Sequence, residues 1–365
     1  MTRRTAALMT AAVVMAAAAV PVLSADAAVL PAEGASVATP LPVADATPPT
    51  GGTPLSRTHG LFVDPQLPAA LWVAAHPADP RAAAIRAAIS GQPMAHWFTG
   101  TSDPDVGAAV ATYTRSAEAA GQLPVLVAYN LPGRDACGEQ SAGGAAGPAS
   151  YQKWISAFAT AIGARPAIVV LEPDALGDFS CMSKAQVTTR LGLLNAATRT
   201  LAGQAPNTWT YLDAGHADWT GPATMAKRLR SAGVARVRGF AVNVSNYIGT
   251  TESRRYAERI KAALRRPAGY LIDTSRNGNG GNGKWCNPGG RKLGKRSTAD
   301  PAALQLWITN PGNSDGRCGI APTTGAGVFS PALARHLVTG KLRLARSRYC
   351  RFDLTASPTI GADPR

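Results

Sequence analysis

Aromatic residues make up only 6% of this 365-residue chain, and histidine and cysteine number five each. No C-x-x-C pair occurs, and the histidines are scattered without metal-ligand spacing, so neither a zinc site nor any other metal or cofactor is expected. Acidic residues are also few: 22 Asp and Glu face 37 Lys and Arg, for a net charge of +15. The cations are spread along the chain, with a denser run at Arg254, Arg255, Arg259, Lys261, Arg265 and Arg266. Its helical spacing reads as a solvated helix face rather than a nucleic-acid surface, and the basic balance suits adsorption to a weakly acidic polymer. No internal repeat is evident. Two nucleotide-binding patterns fail on their context. Gly278, Gly280 and Gly283 satisfy G-x-G-x-x-G, but Lys-Trp-Cys-Asn-Pro-Gly-Gly follows, which cannot open the required helix. Those residues read instead as a flexible substrate loop. Gly289 to Lys295 approaches the phosphate-loop pattern, but Arg296 stands where Ser or Thr is needed.

The long apolar run is confined to the start. MTRRTAALMTAAVVMAAAAVPVLSADA carries two arginines, an Ala-rich stretch ending at Pro21, and the small-residue site Ala25-Asp26-Ala27. Residues 1–27 therefore read as a signal peptide rather than a membrane anchor, and a secreted monomer with no membrane attachment after cleavage is expected. Residues 28–60 are rich in Pro, Ala and Thr and read as a linker. The ordered domain is expected over 61–350, a barrel-sized span, with a tail at 351–365. Export favours disulfides among Cys137, Cys181, Cys286, Cys318 and Cys350, and the odd count leaves one thiol over.

Seven apolar runs have strand length and composition: Met94–Phe98, Val125–Asn130, Ala167–Glu172, Trp209–Asp213, Gly239–Asn243, Tyr270–Asp273 and Gln305–Thr309. Helical patterning lies between them, at Asp105–Ala120, Tyr151–Ile162, Ala185–Leu201, Pro222–Ala232 and Ser253–Leu264. The alternation predicts an α/β fold of parallel βαβ units, closed as a barrel or strongly twisted as an open sheet.

Three of these runs each lead into an aspartate: VLVAYNLPGRD to Asp135, AIVVLEPD to Asp174 and LQLWITNPGNSD to Asp315. Strand C-termini of parallel folds gather on one face, and sites form there. Each aspartate alone also fits a helix N-cap or a turn. Together they fit acid/base chemistry on a glycosidic bond, where a second carboxylate holds the acid protonated and another group handles water. Trp97, Trp219 and Trp285 lie beside polar loop residues, suited either to core packing or to stacking on sugar faces. His216 fits a structural role and a substrate hydrogen bond equally well.

The motifs VAYNLPGRD, VVLEPDALG, YLDAGHADW, FAVNVSNY, DTSRNGNG and WCNPGGRKLG, in this order, resemble glycoside hydrolase family six. These are the inverting β-1,4-glucanases, including bacterial endoglucanases and cellobiohydrolases. The resemblance covers about Leu61 to Val338 and implies a distorted seven-stranded parallel β/α barrel acting on a β-glucan polysaccharide. It implies that Asp174 is the general acid. Asp135 would raise the acid's pKa and organise water, and Asp315 would be the candidate base. Tyr129 would force ring distortion and Ser141 would hold water. Trp97, Thr99, His216, Trp219, Asn246 and Trp285 match substrate subsites. The implied disulfides are Cys137–Cys181 and Cys286–Cys318, leaving Cys350 free.

One departure stands out. Family members usually carry a lysine six residues before the last aspartate and a glutamate two before it, both at the sugar beside the scissile bond. Here Thr309 and Asn313 occupy those positions. One charge of each sign is lost, and with them two charge-assisted hydrogen bonds. The segment GRCGIAP after Asp315 leads within a dozen residues into a final helix, where cellobiohydrolase-like members carry a tunnel-roofing loop. An open cleft and internal attack follow. Three readings remain: an endo-β-1,4-glucanase, a glucan-binding protein with weakened or lost catalysis, and a hydrolase of another β-glucan.

Overall fold

The computed structural model describes residues 53–341, apart from 102, 139, 140, 178 and 301–303. The leader, most of the Pro/Ala/Thr-rich stretch, Cys350 and the tail lie outside the described residues. A short 3-10 turn at Pro54–Arg57 precedes the domain. Among the described residues no helix is long and apolar enough to cross a membrane.

Seven strands form one sheet in chain order: β1 (His96–Phe98), β2 (Val125–Ala128), β3 (Ala167–Leu171), β4 (Thr208–Asp213), β5 (Gly239–Val242), β6 (Gly269–Asp273) and β7 (Leu304–Leu306). Every pairing is parallel. The continuous apolar runs are explained by burial of both sheet faces. Val125, Val127, Ile168 and Val170 point inward, where they meet Tyr129, Tyr211, Leu271 and Ile308. The alternate residues, Leu126, Val169 and Leu171, point outward onto the helices. The sheet curls until its first and last strands meet. Ala95 N donates to Trp307 O at 2.9 Å, and Trp97 Nε1 donates to Ile308 O at 2.8 Å. This is the expected distorted barrel, joined at the seam by single bonds.

The helices are α1 (Pro68–Ala75), α2 (Ala82–Ile85, continuing as a π turn), α3 (Val106–Ala119), α4 (Pro148–Ile162), α5 (Lys184–Gln204), α6 (Pro222–Ser231), α7 (Thr250–Leu264) and α8 (Pro331–Thr339). Local chemistry sets several starts. Pro148, Pro222 and Pro331 occupy first-turn positions, where a missing N–H is harmless. Ser183 and Gln186 close a capping box on α5. The five helices expected between strands are present; α1 and α2 were not expected.

The strands stop earlier than their apolar runs. Glu172 and Asn243 adopt φ of 50° and 65°, leaving the extended region. Beyond β7, Ile308 N and Thr309 N donate to the Asp273 carboxylate. Apolar character continues past the ladder because these residues are still buried. Two disulfides clamp the loops at these strand ends. Cys137–Cys181 joins the loops after β2 and β3, with Cα atoms 5.5 Å apart; Cys286–Cys318 joins those after β6 and β7, at 5.9 Å. In the chain-entropy account each contributes about 4 kcal/mol.

Candidate active site

Asp174 sits two residues past Glu172, at the end of β3, in a left-handed backbone conformation (φ 66°). Two buried carboxylates hold this turn. Glu172 accepts from Asn130 N at 3.0 Å and Leu131 N at 2.9 Å, which ties the loop after β2 to β3, and burial pushes it up to about 7. Asp213, the last residue of β4, accepts from Asp174 N at 2.9 Å and Gly215 N at 3.1 Å through Oδ2. Its Oδ1 is buried without a hydrogen-bond partner. Asp174 is held well above the ordinary carboxylate range. Burial is the main cause, followed by the charges of Asp213, Asp135 and Asp315.

Asp135 (φ 53°) faces the same cluster from the loop after β2. Its Oδ2 accepts from Ser141 N at 2.7 Å and Ser141 Oγ at 3.2 Å. Ser141 Oγ lies 3.1 Å from the Tyr129 hydroxyl, so Tyr129, Ser141 and Asp135 form one chain of polar atoms. Arg134 braces it by donating to Tyr129 O (2.7 Å) and Ser141 O (2.9 Å), with its guanidinium over the Tyr129 ring. Burial, then the nearby Asp174 charge, push the Tyr129 hydroxyl far up, so it stays a neutral donor.

Asp315 is placed differently. Its Oδ1 pairs with Arg276 Nη1 at 2.8 Å, with the Arg276 side chain buried and that of Asp315 10% exposed. Its Oδ2 accepts from the Tyr247 hydroxyl and from Asn287 N, each at 2.9 Å. Oδ2 is filled, and one lone pair remains on Oδ1. Beneath it Asp273 gathers four backbone amides, those of Ser245, Ser275, Ile308 and Thr309, into one knot beneath the loops after β5, β6 and β7. Thr309 is buried, with its hydroxyl 2.6 Å from Ser245 Oγ. The Asn313 side-chain oxygen is buried without a partner.

The subsite candidates lie on β1 and on the loops at the same strand ends. Trp97 packs edge-on to Tyr129 at 5.3 Å. His216 leans on Trp219, and burial holds its pKa down, so it is neutral near pH 7. Trp219 is 38% exposed and Trp285 51%; they are two of only four exposed large apolar side chains among the described residues. Gly177 and Gly215 floor the Trp219 indole: a Cβ on Gly177 would stand 2.5 Å from the ring. Thr99 N donates to the Asp103 carboxylate at 3.2 Å, on the loop after β1. Asn246 bonds back to Val244 O, beside Ser245.

The family model "Glycosyl hydrolases family 6" matches residues 57–341. The chain belongs to glycosyl hydrolase family 6. Among curated relatives, Endoglucanase 1 of Streptomyces halstedii is 47% identical over 308 residues, covering 83% of this chain and 96% of that protein. Endoglucanase 1 of Streptomyces sp. (strain KSM-9) is 41% identical, covering 74% and 75%. The solved structure of the endoglucanase Cel6 from Mycobacterium tuberculosis, in complex with methyl-cellobiosyl-4-deoxy-4-thio-β-D-cellobioside, superposes with a TM-score of 0.73. It is 39% identical and covers 79% of this chain and 99% of that one.

In this family 6 chain the sequence motifs contain three important groups that were not singled out. Asp213, Asp273 and Arg276 lie in YLDAGHADW and DTSRNGNG. Apolar runs ending in aspartate were already the signal that selected the other carboxylates, and TYLD and YLID carry it too. Because Asp213 stands first among the charges acting on Asp174, Asp213→Asn is expected to lower the proton affinity of Asp174. A general acid must be protonated to work, so the alkaline limb of the kcat/KM profile should move to lower pH. Asp135→Asn should move it the same way by less. Profiles that leave the alkaline limb in place would sink this assignment.

Proposed function

We propose that this chain is an exported, monomeric endo-β-1,4-glucanase that hydrolyses cellulose-type β-glucans with inversion. The observation carrying this reading is the buried Asp174 carboxyl, its pKa held well up by burial and three other carboxylates at or beyond the strand ends of a family 6 barrel. Asp174 protonates the departing glycosidic oxygen. Tyr129, Ser141 and Asp135 line the path of the attacking water, and Asp135 holds the hydroxyl chain in register while adding charge that favours the protonated acid. Asp315, with one free lone pair on Oδ1, is the candidate base. Trp219 and Trp285 supply exposed indole faces for sugar rings, and His216, Trp97, Thr99 and Asn246 complete the cleft. The endoglucanase relatives support internal attack, as does the short path from Asp315 to α8. Residues 1–27 support export.

The test is hydrolysis of a soluble cellulose derivative, with Asp174→Ala as control. Viscosity should fall well ahead of the release of reducing ends, and proton NMR of early products should show the α-anomer first. A β-anomer first would overturn the inverting assignment. Slow viscosity loss with steady release of cellobiose would overturn the endo assignment.

Thr309 and Asn313 favour a second reading, a β-glucan other than cellulose. Thr309 spends its hydroxyl on Ser245, while the buried Asn313 oxygen lacks a donor. Charge-assisted hydrogen bonds contribute about 1.5–3 kcal/mol each, so the deficit on cellulose spans roughly two to four powers of ten. Thr309→Lys alone places an unpaired ammonium in a buried position and should help little or harm, as should Asn313→Glu alone. The double change should raise cellulose activity beyond the sum of the singles. Additive or uniformly damaging results would mean that the loop is built for a different glucan.

A further inference from the structure

Positive charge is concentrated on one flank of the barrel. Between Pro222 and Tyr270 the chain carries eleven cationic side chains and two acidic ones, Glu252 and Glu258, and so holds nine of its fifteen excess positive charges. The core stripe of α7 is Ser253, Tyr256, Ala257, Ile260 and Leu264. Its cations therefore fall on the outer face, and all of them are exposed. Two rows result. Arg254 and Lys261 flank Glu258, which already accepts the Tyr270 hydroxyl and faces Lys261 at 4.0 Å. Arg255 and Arg259, four residues apart, lie on α7, and Arg266 lies two residues past its end. Like charges at i and i+4 oppose the helix they sit on. The Arg255–Arg259 repulsion is not a feature that helix stability selects.

The neighbouring helix extends the patch. Arg230 of α6 donates to Ala263 O of α7 at 3.0 Å, fixing the two helices side by side. Between them lies an open cleft of about 520 Å³ lined by Lys227, Arg230 and Arg265. Arg228 belongs to a different job: it turns inward and donates to Leu176 O and Gly177 O, behind the Asp174 loop. Both helices run antiparallel to the strands, so Lys227, Arg230, Arg259, Lys261 and the Arg265–Arg266 end lie towards the end of the barrel opposite the cleft. A ligand held there leaves the cleft open.

We infer that the outer face of α6 and α7 is a docking surface for an acidic, uronate-bearing polysaccharide, engaged while the cleft works on neutral glucan. Arginine dominates the face, and its planar fork matches a carboxylate with two parallel hydrogen bonds. A long polymer of spaced carboxylates complements a row of spaced guanidinium groups. Nucleic-acid binding would be expected to add stacking aromatics, and membrane binding apolar anchors. The exposed large apolar side chains among the described residues are Leu71, Trp219, Trp285 and Val328, none of them on this face. The choice of a polysaccharide leans on the proposed glucanase activity; the polyanion chemistry does not.

The test uses the full chain and immobilised polygalacturonate. The protein should be retained at low salt and released near 0.5 M salt, where the Debye length shrinks to about 4 Å. The variant Arg255→Glu/Arg259→Glu/Arg266→Glu should lose retention by roughly tenfold or more, as expected when several weak surface pairs become repulsions. Hydrolysis of soluble neutral glucan should be unchanged. Arg255→Gln/Arg259→Gln/Arg266→Gln keeps helix-compatible residues and should lose an intermediate amount, which separates docking from misfolding. Arg57→Glu/Arg86→Glu/Arg115→Glu makes the same change in net charge elsewhere and should retain binding. Equal loss in both reversed variants, or loss in neither, overturns the proposal. So does stronger retention on duplex DNA or on phosphatidylserine vesicles. A chain that cleaves no glucan yet shows the expected adsorption pattern would refute the activity and leave the surface standing.

Discussion

Asp174→Asn is expected to lower hydrolysis of β-1,4-glucans by about 10²–10⁴-fold, the range for loss of a positioned proton donor. An alkoxide leaving group needs its proton early, and burial with the charges of Asp213, Asp135 and Asp315 holds the Asp174 carboxyl well above the ordinary carboxylate range. The amide is nearly isosteric, so the turn should survive, with Asp174 N still bonded to Asp213 Oδ2. Folding is thus separable from chemistry: the unfolding midpoint should shift little. A cellobioside with a dinitrophenolate leaving group needs no proton and should lose far less. Equal losses on both substrates would assign Asp174 a structural role and return the acid to another carboxyl.

Arg276→Gln should have the largest effect on stability. Arg276 is 2% exposed, pairs with Asp315 at 2.8 Å, donates to Ser245 O, and lies 4.4 Å from the Tyr247 ring centroid. Removing one member of a buried pair strands the other charge, typically at about 3–5 kcal/mol. Denaturant unfolding should show this loss, and activity should fall because Asp315 loses its fixed orientation. Replacing both partners, as Arg276→Met with Asp315→Leu, should be less destabilising than the two single changes combined. A loss below about 1 kcal/mol for Arg276→Gln would mean that the pair is solvated. Asp315→Ala separates the remaining question. If Asp315 is the base, azide, which needs no deprotonation, should restore turnover and give an α-glycosyl azide. Failure of azide, with water-dependent turnover retained, would assign water activation to the Asp135 and Ser141 side.

The sequence alone determined much of this protein. Seven β-branched runs alternating with helical stretches dictated parallel βαβ units, because such runs need both faces covered. Three aspartates just past three of those runs located the reactive end, since parallel strands place all their C-termini together. The ordered motifs carry the family signature without reference to the fold. Strand ends were less legible. Apolarity reports burial, whereas the ladder stops where φ turns positive at Glu172 and Asn243, or where a carboxylate such as Asp273 captures the amides of Ile308 and Thr309. The charge state of the site lay wholly outside the sequence. Asp174, Asp213 and Asp315 are the same residue type, and only three-dimensional proximity raises the proton affinity of the first, leaves one oxygen of the second bare, and pairs the third with an arginine 39 positions away. Solvation and Coulomb interaction depend on distance through space, which residue order does not encode until the barrel has closed.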